Sequence, residues 1–579
     1  MFGWTGKILK VDMTVGRMWR EDISQELMHA YLGGRGLGVR LLRDSFNLDP
    51  FDPAMPIIFA AGPLCGTAAP ATSRMSVVTR SPLTGAVCAT SVGGLFAWRL
   101  KAAGVDALYI VGESKLPVVL AINGEDAQLL PADYLWGKSI SESMRLLAPR
   151  GSVAAIGPAG ENGVLYAGIM VGEGNVSGRG GPGAIMGKKG LKAVVVDGDL
   201  STMVADQCRF ERAHEDVLRL FRASPVIFGE FGIAEYGTPA LVDLMRQRRM
   251  APTENFRKTV FEGSADYSAP AIRRACHPVN AGCYGCPIQC RKNSPAGESL
   301  PEYEALSHLG ALNGISSLSA IIRANTICND LGLDAISAAS TIAAWGERRG
   351  RFADADEIPA LLTDIAFRRG KGELLALGSR RMAEALGRPG LSMSVKSLEL
   401  PPYDPRGAYG LALAYCTNNH GGCHLAAYPL SHEILRKPVA TDRFSFSGKA
   451  RIIKIAEDAN AAADSLVACR FSFLGASLDE YAELLSAATG LEYTPMQLNQ
   501  AGERIFLTER FYNCANGFTV NDDHLPERFL TEPGSSGEGI NIPPIDQERF
   551  MEELQKYYRV RGFTPEGKFA DVNFLEQQP

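Results

Sequence analysis

Three cysteines inside one short stretch constrain this chain more than any other feature. Cys283, Cys286 and Cys290 stand as Cys-x2-Cys-x3-Cys in the segment NAGCYGCPIQCRKN. Bunching of this kind usually serves a metal. Gly282, Gly285 and Pro287 favour the tight curl that lets such closely spaced thiolates converge on one centre. Three ligands leave one corner of an iron–sulfur cluster open, so a fourth cysteine has to come from elsewhere. Cys276 and Cys469 are the candidates, and Cys276, seven residues before Cys283, would crowd the same loop. Zinc sites usually come as two paired knuckles, and the chain has no second Cys-x2-Cys. A cluster is therefore favoured over zinc and over buried free thiols.

The rest of the composition removes other classes. Twelve cysteines in 579 residues are too sparse for a disulfide scaffold. A net charge of −5, with no basic arm, leaves no electrostatic footprint for nucleic acid or an anionic membrane. No apolar run reaches the roughly 18–20 residues that span a bilayer, and MFGWTGKILKVDMTVGR lacks the features of a signal peptide. The expectation is a protein without membrane insertion, in the cytoplasm. Its length predicts two to four domains.

Texture changes near Thr202. Before it, KILKVDM and RMWRED flank a Thr-Val-Gly turn and predict a hairpin. PIIFAAGP, RMSVVTR, DALYIVG, VVLAING and LKAVVVDG are short apolar runs bounded by turn formers. After it, helical spacing dominates. In DAISAASTIAAWGERRG, Asp334 is placed as an N-cap and Gly350 follows the basic end. The predicted class is α+β, with a β-rich domain over residues 1–203 and two mainly helical domains over 204–405 and 406–579.

GRGGPG, from Gly178 to Gly183, fits Gly-x-Gly-x-x-Gly literally. A dinucleotide fold needs that motif to open a crossover helix between parallel strands. Pro182 interrupts it and the next strand, LKAVVV, follows too soon, so the expectation is no crossover helix and no nicotinamide site. Backbone N–H groups beside Arg179, Lys188 and Lys189 would still suit a phosphate.

Several stretches together resemble the aldehyde:ferredoxin oxidoreductase family, whose members hold tungsten or molybdenum between two pterin dithiolenes. GPLCGTAAPATSRMSVVTRSPLTG resembles the N-terminal signature, with Arg74 at the arginine beside the pterin phosphates. Ser91 to Gly94 match the pterin-contacting turn, so Ser91, Gly93 and Gly94 are assigned to the cofactor, although the family commonly has asparagine where Ser91 stands. Arg179, Gly180 and Gly181 fall on the next block. Two pterin motifs have the form Asp-x-x-Gly-Leu-(Cys or Asp). Asn329 to Asp334 match the first, including Gly332 and Leu333, with asparagine leading. Asp464 to Cys469 match the second at its ends, with Val467 and Ala468 replacing Gly-Leu. Resemblance makes Cys283, Cys286, Cys290 and Cys469 the ligands of a [4Fe–4S] cluster. Magnesium bridging the pterin phosphates is a further implication.

The same resemblance implies oxidation of an aldehyde to a carboxylic acid, with electrons passing to ferredoxin or an iron–sulfur subunit. A homodimer or hetero-oligomer is also expected. His424 falls on the family's histidine beside the metal, and Glu302 or Glu304 on its glutamate; the sequence does not choose between them. The bland alternatives are a hydrogen-bonded structural histidine and first-turn carboxylates after Pro301. Cys328 directly precedes the first pterin motif, which would let it approach the metal, but a small buried thiol is the favoured reading. His420 stands where the family often has arginine, a change that would alter the substrate pocket. Departures at Ser91, Asn329, His420 and Val467 keep a benzoyl-CoA-reductase-type enzyme open, and a non-catalytic iron–sulfur subunit is the alternative from another class.

Overall fold

The computed structural model describes residues 1–172, 174–569 and 574–579. Its first third holds two six-stranded sheets. The first contains β1 (Lys7–Asp12), β2 (Arg17–Asp22), β3 (Ile57–Ala60), β4 (Arg74–Arg80), β5 (Val87–Gly93) and β6 (Ala107–Val111), in the order β2-β1-β6-β3-β4-β5. The second contains β7 (Val118–Asn123), β8 (Asp126–Pro131), β9 (Ser152–Ala155), β10 (Ile169–Val171), β11 (Val176–Ser177) and β12 (Leu191–Asp197), in the order β11-β10-β9-β12-β7-β8. Each sheet has one parallel pair, β1 with β6 and β12 with β7, and its other pairs are antiparallel.

Burial explains these runs. β3 and β12 are apolar nearly throughout because both faces are covered. Phe59, Val77 and Ile110 of the first sheet share one core with Leu120, Val194 and Val196 of the second. The opposite face of the first sheet, through Ile58 and Val78, packs on Tyr481, Leu484 and Ile505 from the C-terminal helices. The first sheet is thus a middle layer.

From Gln207 onward the chain is mainly helical. Ala335–Arg349 has Asp334 as its N-cap, accepting from the N–H groups of Ile336 and Ser337, and Gly350 closes it at φ 74°. Lys449–Ser465 packs along Pro495–Ala515, and the close approach needs Gly502, where a Cβ would overlap the carbonyl of Asp458. The helix Gln547–Arg561 is tied in by buried charge: Arg561 donates to Asp458 at 2.5 Å and to Glu457 at 2.7 Å. Among the described residues no single helix is long and apolar enough to cross a membrane.

Two features depart from the sequence reading. The first 200 residues also carry short helices, such as Gly34–Leu41 and Phe96–Ala102. Gly34–Leu41 is hidden because glycines do its packing; a Cβ on Gly38 would run into Val78. A seven-residue helix, Pro182–Lys188, also fits between the Gly-rich turn and β12 where none was expected. It is still no dinucleotide crossover, because β11 and β12 are not neighbours in their sheet. Its glycines serve backbone packing: a Cβ on Gly183 would overlap the carbonyl of Gly168.

Candidate active site

The cysteine segment is a loop held on a short hairpin. Val279–Ala281 pairs with Arg291–Asn293, and a bridge from Ala281 to Cys290 narrows the neck. Gly285 at φ 64° and Gln289 at φ 47° supply the left-handed steps of the curl, and Cys286 N–H donates to Cys283 O at 3.1 Å. The buried Lys292 ammonium braces the neck by donating to Ala234 O, Asn280 Oδ1 and Gln289 O.

Cys469 arrives from the end of the Lys449–Ser465 helix, its N–H donating to Ala71 O at 2.9 Å. It joins the loop. Burial pushes the Cys286 thiol up to about 12, and the Cys469 and Cys283 thiols add to that. Burial and then Cys469, Glu302, Cys283 and Cys286 raise Cys290 in the same direction. Cys276 is raised by burial alone, with no thiol among its causes. The fourth partner of the loop is therefore Cys469. Thiols that suppress one another's ionisation are the donor set a cationic centre would rescue. Among the described residues no three His, Cys, Asp or Glu side chains are close enough to hold a single ion.

The four cysteines share a cavity of about 1570 Å3 with Arg74, Ser91 and Gly93, with Arg179, and with Asn329, Leu333 and Asp334. Gly93 ends β5 hard against the loop: a Cβ there would overlap the Cys283 sulfur. The remaining predicted positions stand behind this lining. Gly94 turns away from β5 at φ 126°. Gly180 separates Cys88 from His420, and a Cβ on Gly181 would overlap the carbonyl of Leu165. Ala468 is packed in the core.

The two motif turns close on the cavity from different helices. In the first, Gly332 caps Leu318–Leu331 at φ 77°, Ala167 bridges Leu333, and Asp334 both caps the next helix and lies 3.9 Å from Arg179. In the second, Val467 takes the left-handed conformation, φ 56°, where the family has glycine. A β-branched residue there is a genuine outlier. Asp464 is engaged by Arg35 at 3.4 Å and Arg470 at 2.6 Å.

Arginine supplies the positive charge. Arg179 donates through Nη2 to Glu399 O at 2.5 Å and Gly422 O at 2.9 Å, yet its buried Nε and Nη1 have no hydrogen-bond partner among the described residues. Arg470 lines the same cavity, and its Nε and Nη1 likewise have none among the described residues. Both arginines line the cavity, and buried N–H groups without a hydrogen-bond acceptor are costly unless an anion meets them. They fit the phosphates and heteroatoms of a pterin cofactor. Arg470 was missed by sequence reasoning; its one signal is adjacency to Cys469.

On the helix Tyr303–Leu309 the two glutamates part company. Glu304, in the first turn, stands 3.4 Å from His424 Nε2, and Tyr403 OH donates to its Oε1 at 3.3 Å. Burial alone would raise the Glu304 carboxyl, but His424 and Tyr403 outweigh it and hold it below its usual range. His424 Nδ1 is buried without a hydrogen-bond partner among the described residues. Glu302 is the N-cap residue, projecting into the cavity on the side of Cys290, Arg74 and Arg291. Its carboxyl is pushed up to about 7, by enclosure first and the neighbouring Glu304 second. Tyr428 lies edge-on to Tyr403 with ring centroids 6.1 Å apart and completes an aromatic wall around His424. Cys328 is fully buried and absent from the lining. His420 is also absent from it; burial, then Arg179 and Arg35, push its imidazole down to about 3. Its difference from the family thus acts behind the pocket.

Two family models match nearly the whole chain: the N-terminal domain of aldehyde ferredoxin oxidoreductase over residues 8–198, and domains 2 and 3 over residues 212–573. The chain belongs to the aldehyde ferredoxin oxidoreductase family, a family of oxidoreductases. It is 38% identical to the tungsten-containing aldehyde ferredoxin oxidoreductase of Pyrococcus furiosus over 606 residues, covering 100% of this chain and 99% of that one. The enzyme of the same description from Thermococcus kodakarensis is 38% identical, covering 98% of each chain. The WOR-like subunit of an aliphatic sulfonate oxidoreductase from Pyrococcus furiosus is 26% identical, covering 98% of this chain and 96% of that one. The active-site complex BamBC of benzoyl-coenzyme A reductase, solved with 1,5-dienoyl-CoA, superposes with a TM-score of 0.84 over 99% of this chain and 97% of that one. At 24% identity that likeness is one of fold.

Proposed function

We propose that this chain oxidises an aldehyde to a carboxylic acid, RCHO + H2O → RCOOH + 2H⁺ + 2e⁻, and passes the electrons to ferredoxin or an iron–sulfur partner subunit. The observation that carries this reading is convergence: the cysteine loop with Cys469, the partnerless arginine donors and the His424–Glu304 pair all face one cavity. Cys283, Cys286, Cys290 and Cys469 would hold a [4Fe–4S] cluster, and Arg74, Arg179 and Arg470, with the two motif turns, a bis-pterin cofactor. When bound, the pterin dithiolenes supply soft sulfur ligands for tungsten or molybdenum, which brings the oxygen-transfer and two-electron chemistry. Magnesium between the pterin phosphates belongs to the same reading. So do the three domains, 1–203, 204–405 and 406–579.

The chain's own contribution is proton management and shelter. A carboxylate held ionised beside an imidazole can accept a proton from the reacting water and release it to solvent before the next turn. His424 and Glu304 occupy that role, and Tyr403 orients the pair through its hydroxyl. Tyr403 and Tyr428 make the wall that keeps bulk water from the reacting carbon. Glu302, on the cluster side and raised towards neutrality, is placed to hold a proton where electron arrival makes the cavity more negative.

The departures at Ser91, Asn329, His420 and Val467 motivate a second reading, a low-potential reductase of benzoyl-CoA-reductase type. Metal analysis and electron paramagnetic resonance of anaerobically purified protein, with an aldehyde screen against a viologen dye, separate the two. The first reading requires tungsten or molybdenum with about four iron atoms per chain and dye reduction by at least one aldehyde. Metal-loaded protein inert towards every aldehyde overturns it.

A further inference from the structure

The cysteine loop is also a surface feature. Tyr284, between Cys283 and Cys286, is 53% exposed and rests on Trp98 with ring centroids 5.3 Å apart. Val279, at the start of the hairpin, is 50% exposed. The helix Ala269–Cys276 runs into this hairpin with Arg273 and Arg274 exposed in its last turn, and His277 follows, exposed in turn.

Charge along this stretch is one-sided. From Ala269 to Gly297 there is no Asp or Glu, against Arg273, Arg274, Arg291, Lys292 and His277, in a chain of net charge −5. Two of these cations have internal duties. Lys292 is buried in the hairpin neck, and Arg273 pairs with Glu235 and lies over the Tyr236 ring. Glu298, just past the hairpin, is the nearest acid in sequence on the far side. What faces outward is therefore an apolar and aromatic tip, Val279 and Tyr284, flanked by Arg274 and His277.

We propose that this face, built from Arg274, His277, Val279 and Tyr284, docks a small acidic one-electron carrier protein. The inference rests on the reading of Cys283, Cys286, Cys290 and Cys469 as cluster ligands. Electron transfer falls steeply with distance, so a carrier has to sit on the surface nearest the donor, and the loop that carries three of the four cysteines exposes Tyr284, Gly285 and Gln289 between them. An acidic partner is selected because opposite charge steers the encounter and fixes orientation, while the apolar tip supplies contact area. Each aldehyde releases two electrons, so two oxidised carriers leave reduced by one electron each: RCHO + H2O + 2 carrier(ox) → RCOOH + 2H⁺ + 2 carrier(red).

The test uses the metal-loaded protein, a small acidic [4Fe–4S] ferredoxin as probe, and the variants Arg274→Glu, Arg274→Lys and Arg274→Glu/Val279→Glu. Binding is measured by calorimetry across a salt series, and aldehyde oxidation is followed separately with a viologen dye. At low salt Kd should rise on the order of tenfold for Arg274→Glu and further for the double variant, be kept by Arg274→Lys, and converge across variants as salt screens the interaction. Dye-linked oxidation should stay at the wild-type rate in all three. A Kd unchanged by both Glu-bearing variants overturns the docking face, even with dye activity intact. Absence of dye activity in the wild type instead overturns the catalytic reading, and the binding data then judge the face by themselves.

Discussion

The two turns that close on the cavity meet the same backbone demand with opposite residues. Gly332 sits at φ 77° and Val467 at φ 56°, each just past the end of a long helix. Glycine enters that region freely; valine is strained there by about 1–3 kcal/mol. The difference lies in the neighbours. A Cβ on Gly332 would come 2.9 Å from Gly157 N and 3.3 Å from Ile140 Cδ1, leaving no room for a side chain. Around Val467 the glycines are on the other side of the contact: Gly34 and Gly62 are bare, and a Cβ on either would come within 2.9 Å of a valine methyl. Val467 is 1% exposed and belongs to the core shared by the two sheets. Tertiary packing holds at the second turn what backbone chemistry supplies at the first.

The turns also differ in what they present, Asp334 from the first and Cys469 from the second. Cys469→Ala should have the largest effect, loss of iron and of its visible absorption, because one corner of the cluster loses its protein ligand; a fully unchanged iron content and spectrum refute the ligand assignment. Gly332→Val combines strain with overpacking and should cost at least about 3 kcal/mol in denaturant unfolding. Val467→Gly sharpens the contrast: relief of strain offsets the roughly 1.5–3 kcal/mol of lost burial, so stability should move by no more than about 1 kcal/mol. A loss as large as that of Gly332→Val would show that packing alone rules the second turn.

Between the turns, Glu302 predicts the smallest effect. Its carboxyl titrates near 7 in the fold against about 4.5 in an unfolded chain, so the folded state binds the extra proton between those values. Its stabilising contribution is complete below about 4.5 and is lost as pH rises through 7. Because the carboxylate opens onto the cavity, solvent there weakens the effect. Glu302→Gln should flatten the decline in stability between pH 4.5 and 7, as read from unfolding midpoints at several pH values. An unchanged slope would place the titration elsewhere.

Much of the local architecture was legible. The β1–β2 hairpin follows from its turn residues and alternation, and Ala335–Arg349 from Asp334 and Gly350 at its ends. Gly34–Leu41 was not legible, because Gly34, Gly36 and Gly38 make up much of its buried face and glycine is a poor helix former. At the site, the loop cysteines announced themselves by spacing, whereas Arg470 carried no pattern.

The sequence by itself determined where each short-range device would form: caps, turns, the hairpin and the three-cysteine curl, all set by the conformational limits of neighbouring residues. Only the tertiary structure decided which distant groups would meet. Cys469 rather than Cys276 faces the loop, Glu304 rather than Glu302 takes His424, and Val467 holds a conformation suited to glycine. Those outcomes depend on how buried helices pack against the middle sheet, and packing is a property of surfaces brought together from across the chain.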